Sequence, residues 1–409
     1  MRKQLLLLAT SLFMCIGAGA KTAMPLGADS NDDKVWTGTW ATAVEYTGPS
    51  DMPAKSLSDR SVREIIHVSI GGDVLRMQLS NVFGNEDVEI RSVFIADAKD
   101  SCDIDVKSAK YLTFSGKKSV KIEAGKDVYS DNVAYNLRPL QRLSVTICYG
   151  KQTPEHATSH RGSRTTSYII NGEAKPKTNF VGDVEKVDHW YNIASLDVMA
   201  AKDTPVVAAL GNSITDGRGT TTNLQNRWTD RLAEALDGQV GVLNLGIGGN
   251  SVLRGGLSQP ALVRFDRDVL GQRGVKTLII YEGVNDIGGA RENSQKDNSI
   301  VRANELIEAY KTMTEKAHAA GMKVYIATIC PFKGNGYYTY FHEAARQTVN
   351  EWIRTQKVAD GVIDFDAQVR DENDPAKLRK ELSDDWLHLN PAGYKVMGEY
   401  AAKVLNNNN

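Results

Sequence analysis

The sequence predicts an α/β protein in two parts: an N-terminal antiparallel β-sandwich of jelly-roll type, followed by a three-layer α/β/α part built on a parallel sheet. Two different patterns of apolar and polar residues predict this division. Residues 35–195 are rich in short alternating runs separated by turn signals, with no long helical period, which is typical of an antiparallel sandwich. Residues 205–404 alternate apolar strands with long amphipathic stretches, which indicates a parallel sheet with helices on both faces. Residues 201–204 are the predicted linker between the two parts.

Each predicted element follows from one of these two patterns. In the first part, the alternating segments that we interpret as strands are 63–70, 74–79, 89–95, 119–122 and 143–148. In the second part, the apolar segments that we interpret as strands are 206–210, 242–245, 277–282, 323–329 and 362–365. The amphipathic segments predicted as helices are 224–236, 260–270, 301–320, 341–357 and 391–405.

The composition of the 409-residue chain excludes several classes of protein. Hydrophobic residues make up 41%, which is enough for a buried core and too many for a disordered chain. The 49 Lys and Arg residues nearly balance the 50 Asp and Glu residues, and the net charge of −1 gives no basic field for nucleic acid. The Cys residues form no CxxC pair, although Cys102 and Cys148 can pair in an oxidising compartment.

The N-terminus is typical of a secretory signal peptide. Arg2 and Lys3 precede an apolar run, and a small-residue cleavage site ends at Ala20. The run is shorter than the roughly 18 apolar residues that a membrane anchor needs, and we find no later segment that could span a bilayer. We therefore expect residues 1–20 to be removed and the protein to be exported to the periplasm or the extracellular space.

Polar residues follow the predicted strands, at the edge of a parallel sheet where ligands bind. Ser213 comes directly after the first strand, in a position that exposes its hydroxyl as a nucleophile. A hydroxyl needs a base at neutral pH, and the imidazole of His388, just before the last helix, is the natural candidate. A carboxylate three residues earlier can hold the imidazole ring. This spacing favours Asp385, with Asp384 as a competitor.

An acyl-transfer site also needs hydrogen-bond donors for an oxyanion. Gly248 and Gly249 offer unobstructed backbone N–H groups after the second strand, and Asn285 offers a side-chain amide after the third. The backbone N–H of Ser213 is a further donor. Taken singly, each of these residues is more often a turn or cap residue; their combination at one sheet edge indicates a site. Rossmann spacing and a P-loop are missing, so we expect no cofactor and no metal.

At these residues the sequence resembles the SGNH/GDSL hydrolase family. Segment 211–217 is similar to the family's first block, with Ser213 as its nucleophile. Gly249 in NLGIGGN and Asn285 in GVND are similar to the second and third blocks. Asp385 and His388 in DWLHLNPAGY are similar to the last block. The resemblance implies a catalytic triad of Ser213, His388 and Asp385. It also implies an oxyanion hole of Ser213, Gly249 and Asn285, on an SGNH-hydrolase fold with a flavodoxin-like sheet.

One position departs from the family pattern, because Asn212 stands where the family usually has Asp. That Asp is not one of the residues that do the chemistry, so we expect the geometry to survive with altered hydrogen bonding in the loop. Segments 36–43, 62–72 and 79–84 are similar to a β-sandwich that precedes the hydrolase domain in many secreted members. The resemblance thus implies a β-sandwich domain over 35–200 and a hydrolase domain over 201–405.

The expected function is that of a secreted serine esterase that hydrolyses O-acyl esters. An acetyl group on a carbohydrate is the favoured substrate, which makes an acylated small molecule or polysaccharide the expected partner. Three alternatives stay open at this stage: a lipase or thioesterase acting on longer acyl chains, a carbohydrate-binding protein with a silent hydrolase domain, and acyl transfer to another sugar. The oligomeric state and the role of the β-sandwich are not determined by the sequence.

Overall fold

The computed structural model describes residues 33–407. The predicted signal peptide, residues 1–20, lies outside the described residues. In chain order, the strands of the first part are β1 (Lys34–Ala41), β2 (Glu45–Tyr46), β3 (Arg60–His67), β4 (Gly72–Ser80), β5 (Val88–Asp97), β6 (Lys110–Leu112), β7 (Val120–Ile122), β8 (Asp127–Tyr129), β9 (Val133–Leu137), β10 (Arg142–Tyr149), β11 (Thr158–Arg161), β12 (Ser167–Asn171), β13 (Glu185–Val187), β14 (His189–Tyr191) and β15 (Ile193–Ala201).

These strands form antiparallel sheets. One sheet has the order β1-β15-β4-β8, with β9 also paired to β4, and the other has the order β13-β12-β3-β10-β5-β6, with β7 also paired to β5. A smaller sheet has the order β14-β11-β2. Alternate side chains of the two large sheets meet in one core: Met77 and Leu196 come from the first, and Ile66 and Val145 from the second. The predicted antiparallel β-sandwich is confirmed.

The second part alternates strands and helices. Its strands are β16 (Val206–Gly211), β17 (Gly241–Gly246), β18 (Thr277–Tyr281), β19 (Lys323–Ala327) and β20 (Gly361–Ile363). Its helices are α1 (Ser213–Asp216), α2 (Trp228–Ala235), α3 (Ala261–Phe265, continued by a π-helical turn over Asp266–Leu270), α4 (Val284–Gly288), α5 (Ser299–Ala319), α6 (Tyr340–Thr355), α7 (Phe365–Val369) and α8 (Pro391–Asn407). Short 3-10 turns lie at Pro49–Asp51 and Lys380–Leu382.

The strands of the second part form a parallel sheet with the order β17-β16-β18-β19-β20. When these five strands are numbered 1 to 5 in chain order, the order across the sheet is 2-1-3-4-5, which is the flavodoxin-like arrangement. The central strands are apolar along their whole length because helices cover both faces. The predicted three-layer α/β/α fold is confirmed.

The helix predicted over 224–236 begins later than expected, so the predicted start at Leu224 is wrong. Helix α2 begins at Trp228 because the preceding segment forms a turn, in which Asn223 and Gln225 adopt positive φ angles. The pattern of apolar residues continues through this turn and conceals it. Helices α1, α4 and α7 were not predicted because four or five residues are too few to show a helical period.

Strand β1 of the sandwich packs directly against β17 of the parallel sheet. The N–H of Gly38 donates to the carbonyl of Arg273 (3.0 Å), and a Cβ atom at Gly38 would come within 3.0 Å of Leu243. The N–H of Val242 donates to the hydroxyl of Ser69 (2.9 Å). The described residues from Lys34 onward form one compact unit, so the sandwich and the α/β part share an extensive interface.

The structure also bears on the cysteines and on membrane spanning. Cys102, Cys148 and Cys330 are free thiols, and the first two lie in or against the same small apolar cluster of the sandwich. No helix within residues 33–407 combines the length and the apolar character needed to cross a bilayer.

The interface contains a buried ion cluster centred on Asp230 of α2. Its carboxylate oxygens meet His67 Nδ1 (3.0 Å) from the end of β3 and Arg227 Nη1 (3.1 Å). Burial opposes ionisation, but the positive charge of Arg227 and the contact with His67 hold the pKa of Asp230 well below its usual value. Asp230 therefore contributes stability above its unfolded pKa, and this contribution is lost as the pH falls through the folded value.

We expect Asp230→Ala to lower the free energy of unfolding by about 3 kcal/mol at pH 7, because it leaves Arg227 buried without its carboxylate. Urea unfolding followed by tryptophan fluorescence measures the change. The control is Glu234→Ala on the same helix, which removes only the half-exposed partner of Arg231 and should cost less than about 1 kcal/mol. Equal effects of the two substitutions at pH 7 would contradict the role of Asp230.

Candidate active site

The predicted site residues meet at the carboxyl edge of the parallel sheet. Ser213 follows β16 as the first residue of α1, and Asn285 follows β18 in α4. Strands β16 and β18 are the neighbours at which the strand order reverses, which is where open α/β sheets bind ligands. The turn after β16 is tight against β17, since a Cβ atom at Gly246 would come within 2.2 Å of the Asp216 backbone nitrogen.

Ser213, His388 and Asp385 form a continuous hydrogen-bonded chain. Ser213 Oγ lies 2.9 Å from His388 Nε2, and His388 Nδ1 lies 2.7 Å from Asp385 Oδ2. The serine is 6% exposed and the imidazole 11%. A base within hydrogen-bond reach of a hydroxyl, oriented by a carboxylate, can take the hydroxyl proton as the oxygen attacks a carbonyl carbon.

The spacing of Asp385 and His388 is set by a local turn. Asp385 Oδ1 accepts the backbone N–H groups of Leu387 (3.0 Å) and His388 (2.8 Å), which leaves Oδ2 for the imidazole. Trp386 adopts a φ of 63° within this turn. The competing acid, Asp384, does not contact the ring and instead lines a neighbouring cavity.

The two ionisable residues of this hydrogen-bonded chain, His388 and Asp385, both have shifted pKa values. Burial lowers the pKa of His388 below that of an ordinary histidine, and the nearby positive charges of Arg218 and Arg164 act in the same direction, against the opposing effect of Asp385. Burial would raise the pKa of Asp385, but hydrogen bonds from the side chain and backbone of His388 hold it below its ordinary value. At neutral pH the imidazole is therefore available as a base, and Asp385 is ionised.

Asn285 and Gly249 face the same cavity as Ser213. Asn285 Nδ2 donates to the carbonyl of Asn250 (2.7 Å), and Asn285 Oδ1 accepts from the hydroxyl of Tyr337 (3.0 Å). These two contacts fix the amide orientation and leave the second hydrogen of Nδ2 for a ligand. Gly249 adopts a φ of 68°, and a Cβ atom there would come within 3.0 Å of the Leu257 side chain.

A fully buried guanidinium holds the strand ends that carry these groups. Arg264 donates to the carbonyls of Gly211 (3.0 Å) and Leu245 (2.9 Å), at the ends of β16 and β17. Its Nε donates to Asn250 Oδ1 (3.0 Å), beside Gly249. One side chain therefore ties the strand before Ser213 to the glycine loop.

The contacts of the Asn212 side chain explain why an Asn stands where the family usually has an Asp. Asn212 caps α1 by accepting the N–H of Ile214 (3.0 Å), and its Nδ2 donates to Glu282 Oε2 (3.1 Å). Burial raises the pKa of Glu282 to about 8, although Arg264 acts against the shift. An Asp at position 212 would place a second carboxyl group against the buried carboxyl group of Glu282. The amide matches this neighbour, and the predicted survival of the geometry is consistent with this contact.

The β-sandwich supplies the partners of Asp216, which ends helix α1. His160 Nε2 lies 2.9 Å from Asp216 Oδ1, and Arg164 Nη2 lies 2.6 Å from Asp216 Oδ2. Asp216 is 3% exposed. Burial would raise its pKa, but the charges of Arg164 and His160 lower it below the usual value. The loop that bears Ser213 is therefore anchored to the sandwich through an ion cluster.

The cavity at Ser213 has a volume of about 340 Å³ and is formed by both parts of the chain. Glu45, Arg161, Gly162 and Arg164 line it from the sandwich. The remaining wall includes Ser213, His388, Gly248, Gly249, Asn285, Tyr337, Leu257, Leu387, Asp216 and Arg218. Within residues 33–407, no group of three or more His, Cys, Asp or Glu side chains is arranged to hold a metal ion.

A serine, an imidazole and a carboxylate in this arrangement, at the switch point of a flavodoxin-like sheet, define a serine hydrolase of the α/β/α class. Residues 209–396 match the GDSL-like lipase/acylhydrolase family. The C-terminal half of the chain is a domain of that family, and the protein is an enzyme that hydrolyses carboxylic esters.

Several solved structures are similar to about half of the chain. One is described as a lipolytic protein of the G-D-S-L family from Desulfitobacterium hafniense DCB-2 (27% identity, 49% of this chain and 99% of the other, TM-score 0.39). Another is a GDSL-like lipase from Bacteroides thetaiotaomicron VPI-5482 (21%, 50% and 89%, 0.37). A third is an acetyl xylan esterase (19%, 49% and 99%, 0.38). A search of curated proteins finds no match.

Sequence reasoning missed the contribution of the sandwich to the cavity. The sequence carries no signal that places His160, Arg161 or Arg164 beside the predicted site residues. The contact between Tyr337 and Asn285 likewise has no signal in the sequence. An arginine in a β-rich segment carries no local signal of this kind, since its partner Asp216 lies 52 residues away from Arg164 in the chain.

The contact between Asn212 and Glu282 is testable with a double-mutant cycle. We expect Asn212→Asp to lower the free energy of unfolding by about 2 kcal/mol at pH 9, because two carboxyl groups in contact cannot both ionise. Glu282→Gln in the same chain should restore most of the loss, since the glutamine amide donates to the new carboxylate. Chemical unfolding of the four proteins at pH 6 and pH 9 gives the coupling energy. Additive effects at pH 9 would show that the two side chains do not interact.

Proposed function

We propose that the protein is an exported serine esterase that removes small O-acyl groups, chiefly acetyl, from carbohydrate. The observation that carries this proposal is the hydrogen-bonded chain from Ser213 through His388 to Asp385, within a cavity to which both parts of the chain contribute. Export rests on the signal-peptide pattern of residues 1–20.

In the proposed reaction, Ser213 Oγ attacks the ester carbonyl carbon while His388 Nε2 takes the hydroxyl proton. Asp385 holds the imidazole and stabilises the imidazolium that forms. The N–H groups of Ser213 and Gly249 and the Asn285 amide donate to the oxyanion of the tetrahedral intermediate. His388 then protonates the departing alcohol, which leaves an acyl group on Ser213. Water, activated by the same imidazole, releases the acid and restores the serine.

The lining of the cavity favours a short acyl group. Binding a long acyl chain draws on about 0.8 kcal/mol for each buried CH₂ group, which requires a continuous apolar wall. Here only Leu257, Leu387 and Tyr337 offer large apolar surfaces, and charged or small residues surround them. This composition is unfavourable to the lipase and thioesterase alternatives.

Exposed aromatic side chains near the cavity support a carbohydrate as the alcohol part. Tyr340 is 85% exposed and Phe341 is 63% exposed, in the segment that follows the cavity residue Tyr337. Trp386 lies half-buried between Asp385 and the cavity residue Leu387. Flat aromatic faces with water on one side can stack on sugar rings, as large amphipathic side chains do at other binding surfaces.

Acetate release tests the proposal directly. We expect the protein to release acetate from p-nitrophenyl acetate and from acetylated xylan or pectin, and Ser213→Ala to abolish both activities because the nucleophile is gone. A fluorophosphonate probe should label the parent protein and not the variant. A p-nitrophenyl ester series should show kcat/KM falling as the acyl chain lengthens. Labelling of Ser213→Ala would refute the nucleophile, and a preference for long chains would refute the acetylesterase proposal.

The Asn285 amide is expected to act on the transition state. Asn285→Ala should lower kcat by about 10² to 10³ with little change in KM, because removal of an oxyanion donor costs that much in serine hydrolases. Tyr337→Phe removes only the contact that orients the amide and should have a smaller effect of the same kind. Circular dichroism and thermal unfolding confirm that both variants are folded. Full activity of folded Asn285→Ala would remove Asn285 from the oxyanion hole.

A further inference from the structure

Arginines line the cavity beside His388, and one of them has no partner. The backbone of Arg218 is fixed, because its N–H donates to the Ser213 carbonyl (2.9 Å) and its carbonyl accepts from the Tyr394 hydroxyl. Its side chain is exposed to solvent and lines the cavity. Within residues 33–407, its guanidinium has no hydrogen bond or ion pair. A guanidinium that lies at the mouth of a site and has no partner is available to bind an anion.

Arg164 adds further donors on the same side. Its Nη2 binds Asp216, but its Nε is buried and has no hydrogen-bond partner. A buried donor without a partner costs free energy in the unliganded protein, and a ligand that accepts from it recovers that cost. Both Arg164 and Arg218 are close enough to His388 to influence its ionisation.

The arginines lie on the side of the site where the alcohol should leave. A second cavity of about 300 Å³ is lined by Arg164, Arg218 and His388, and it includes neither Gly249 nor Asn285. In the proposed reaction, His388 protonates the departing alcohol, whereas Gly249 and Asn285 hold the carbonyl oxygen. A group that contacts the arginines from the second cavity therefore belongs to the alcohol part of the ester.

We propose that this arginine pair binds a carboxylate on the alcohol part of the substrate, so that the enzyme prefers acyl esters of acidic sugars such as uronic acids. The inference rests on the proposed esterase function and specifies its substrate class. Arg218 supplies the paired N–H groups that match a carboxylate, and Arg164 adds a second positive charge to the wall of both cavities.

The other charges around the cavity favour a single negative charge on the ligand. Glu45 is bound by Arg161, Asp216 by Arg164 and His160, and Asp385 by His388. Asp384 is the remaining carboxylate; it is exposed, lines the second cavity and makes no ion pair in the described part of the chain. Its negative charge opposes the binding of any anion there, and a doubly charged group most of all.

The test uses two substrates that differ by one charge: an O-acetylated methyl glucuronoside and its methyl ester at the sugar carboxyl group. We expect kcat/KM of the parent protein to be about ten times higher for the charged substrate than for its methyl ester, a typical effect of one charge-assisted contact. The ratio of these two kcat/KM values is the quantity that the variants are expected to change. Arg218→Gln should reduce this ratio to near one, and Arg218→Lys should retain part of it. Asp384→Asn should raise the ratio, because it removes the opposing charge.

The matched control is Arg291→Gln, which removes a guanidinium that is 77% exposed and lies outside both cavities. It should leave the ratio at the parent value. A parent ratio near one that neither Arg218→Gln nor Asp384→Asn changes would overturn the inference. The proposed esterase function would still stand if both substrates are hydrolysed.

A binding measurement distinguishes failure of the arginine inference from failure of the esterase proposal. The Ser213→Ala variant should bind the charged partner more tightly than its methyl ester in isothermal titration calorimetry, and adding Arg218→Gln should remove the difference. If the parent protein hydrolyses neither partner and not p-nitrophenyl acetate, the esterase proposal fails, and this binding difference still decides the arginine site. Equal binding of the two partners would overturn the inference.

Discussion

The position of Ser213 depends on a carboxylate that is sealed from water three residues further along the chain. A lone carboxylate as buried as Asp216 would be too costly to keep ionised. It is ionised here because His160 and Arg164 bind its two oxygens. Both partners come from the β-sandwich, so the nucleophile loop, the edge of the sandwich and the wall of the cavity form one electrostatic unit. The sandwich is thus part of the site rather than a separate module.

A second set of buried charges supports the site from behind. The ends of parallel strands leave carbonyl groups that need donors when they are buried. Arg264 supplies these donors to Gly211 and Leu245 and also holds Asn250 beside the glycine loop. Glu282 meets Asn212 at the start of α1. Because buried side chains on neighbouring elements hold the loops, the proposed oxyanion donors and the proposed nucleophile are arranged before a substrate binds, which is the condition for strong stabilisation of an oxyanion.

The two parts of the molecule divide the work that we propose for the enzyme. The α/β part carries the groups that we propose act on the ester bond: Ser213, His388, Asp385, Gly249 and Asn285. The sandwich contributes Arg161 and Arg164 to the wall that faces the rest of the substrate. Under this arrangement, substitutions in the sandwich can change which ester is bound without altering the reacting groups. The small number of large apolar side chains in the lining is consistent with a small acyl group.

The sequence by itself determined the two-part fold, the strands of the parallel sheet and the residues that meet at its edge. These features are local, since strand–helix alternation and a carboxylate three residues before a histidine can be read along the chain. It predicted Leu224 as a helix start wrongly, because the apolar spacing continues through a turn with positive φ angles and conceals it. Only the tertiary structure placed His160 and Arg164 against Asp216 and left Arg218 unpaired. Those contacts join residues 56 and 52 positions apart across a packed interface, and no periodicity encodes which buried charges meet.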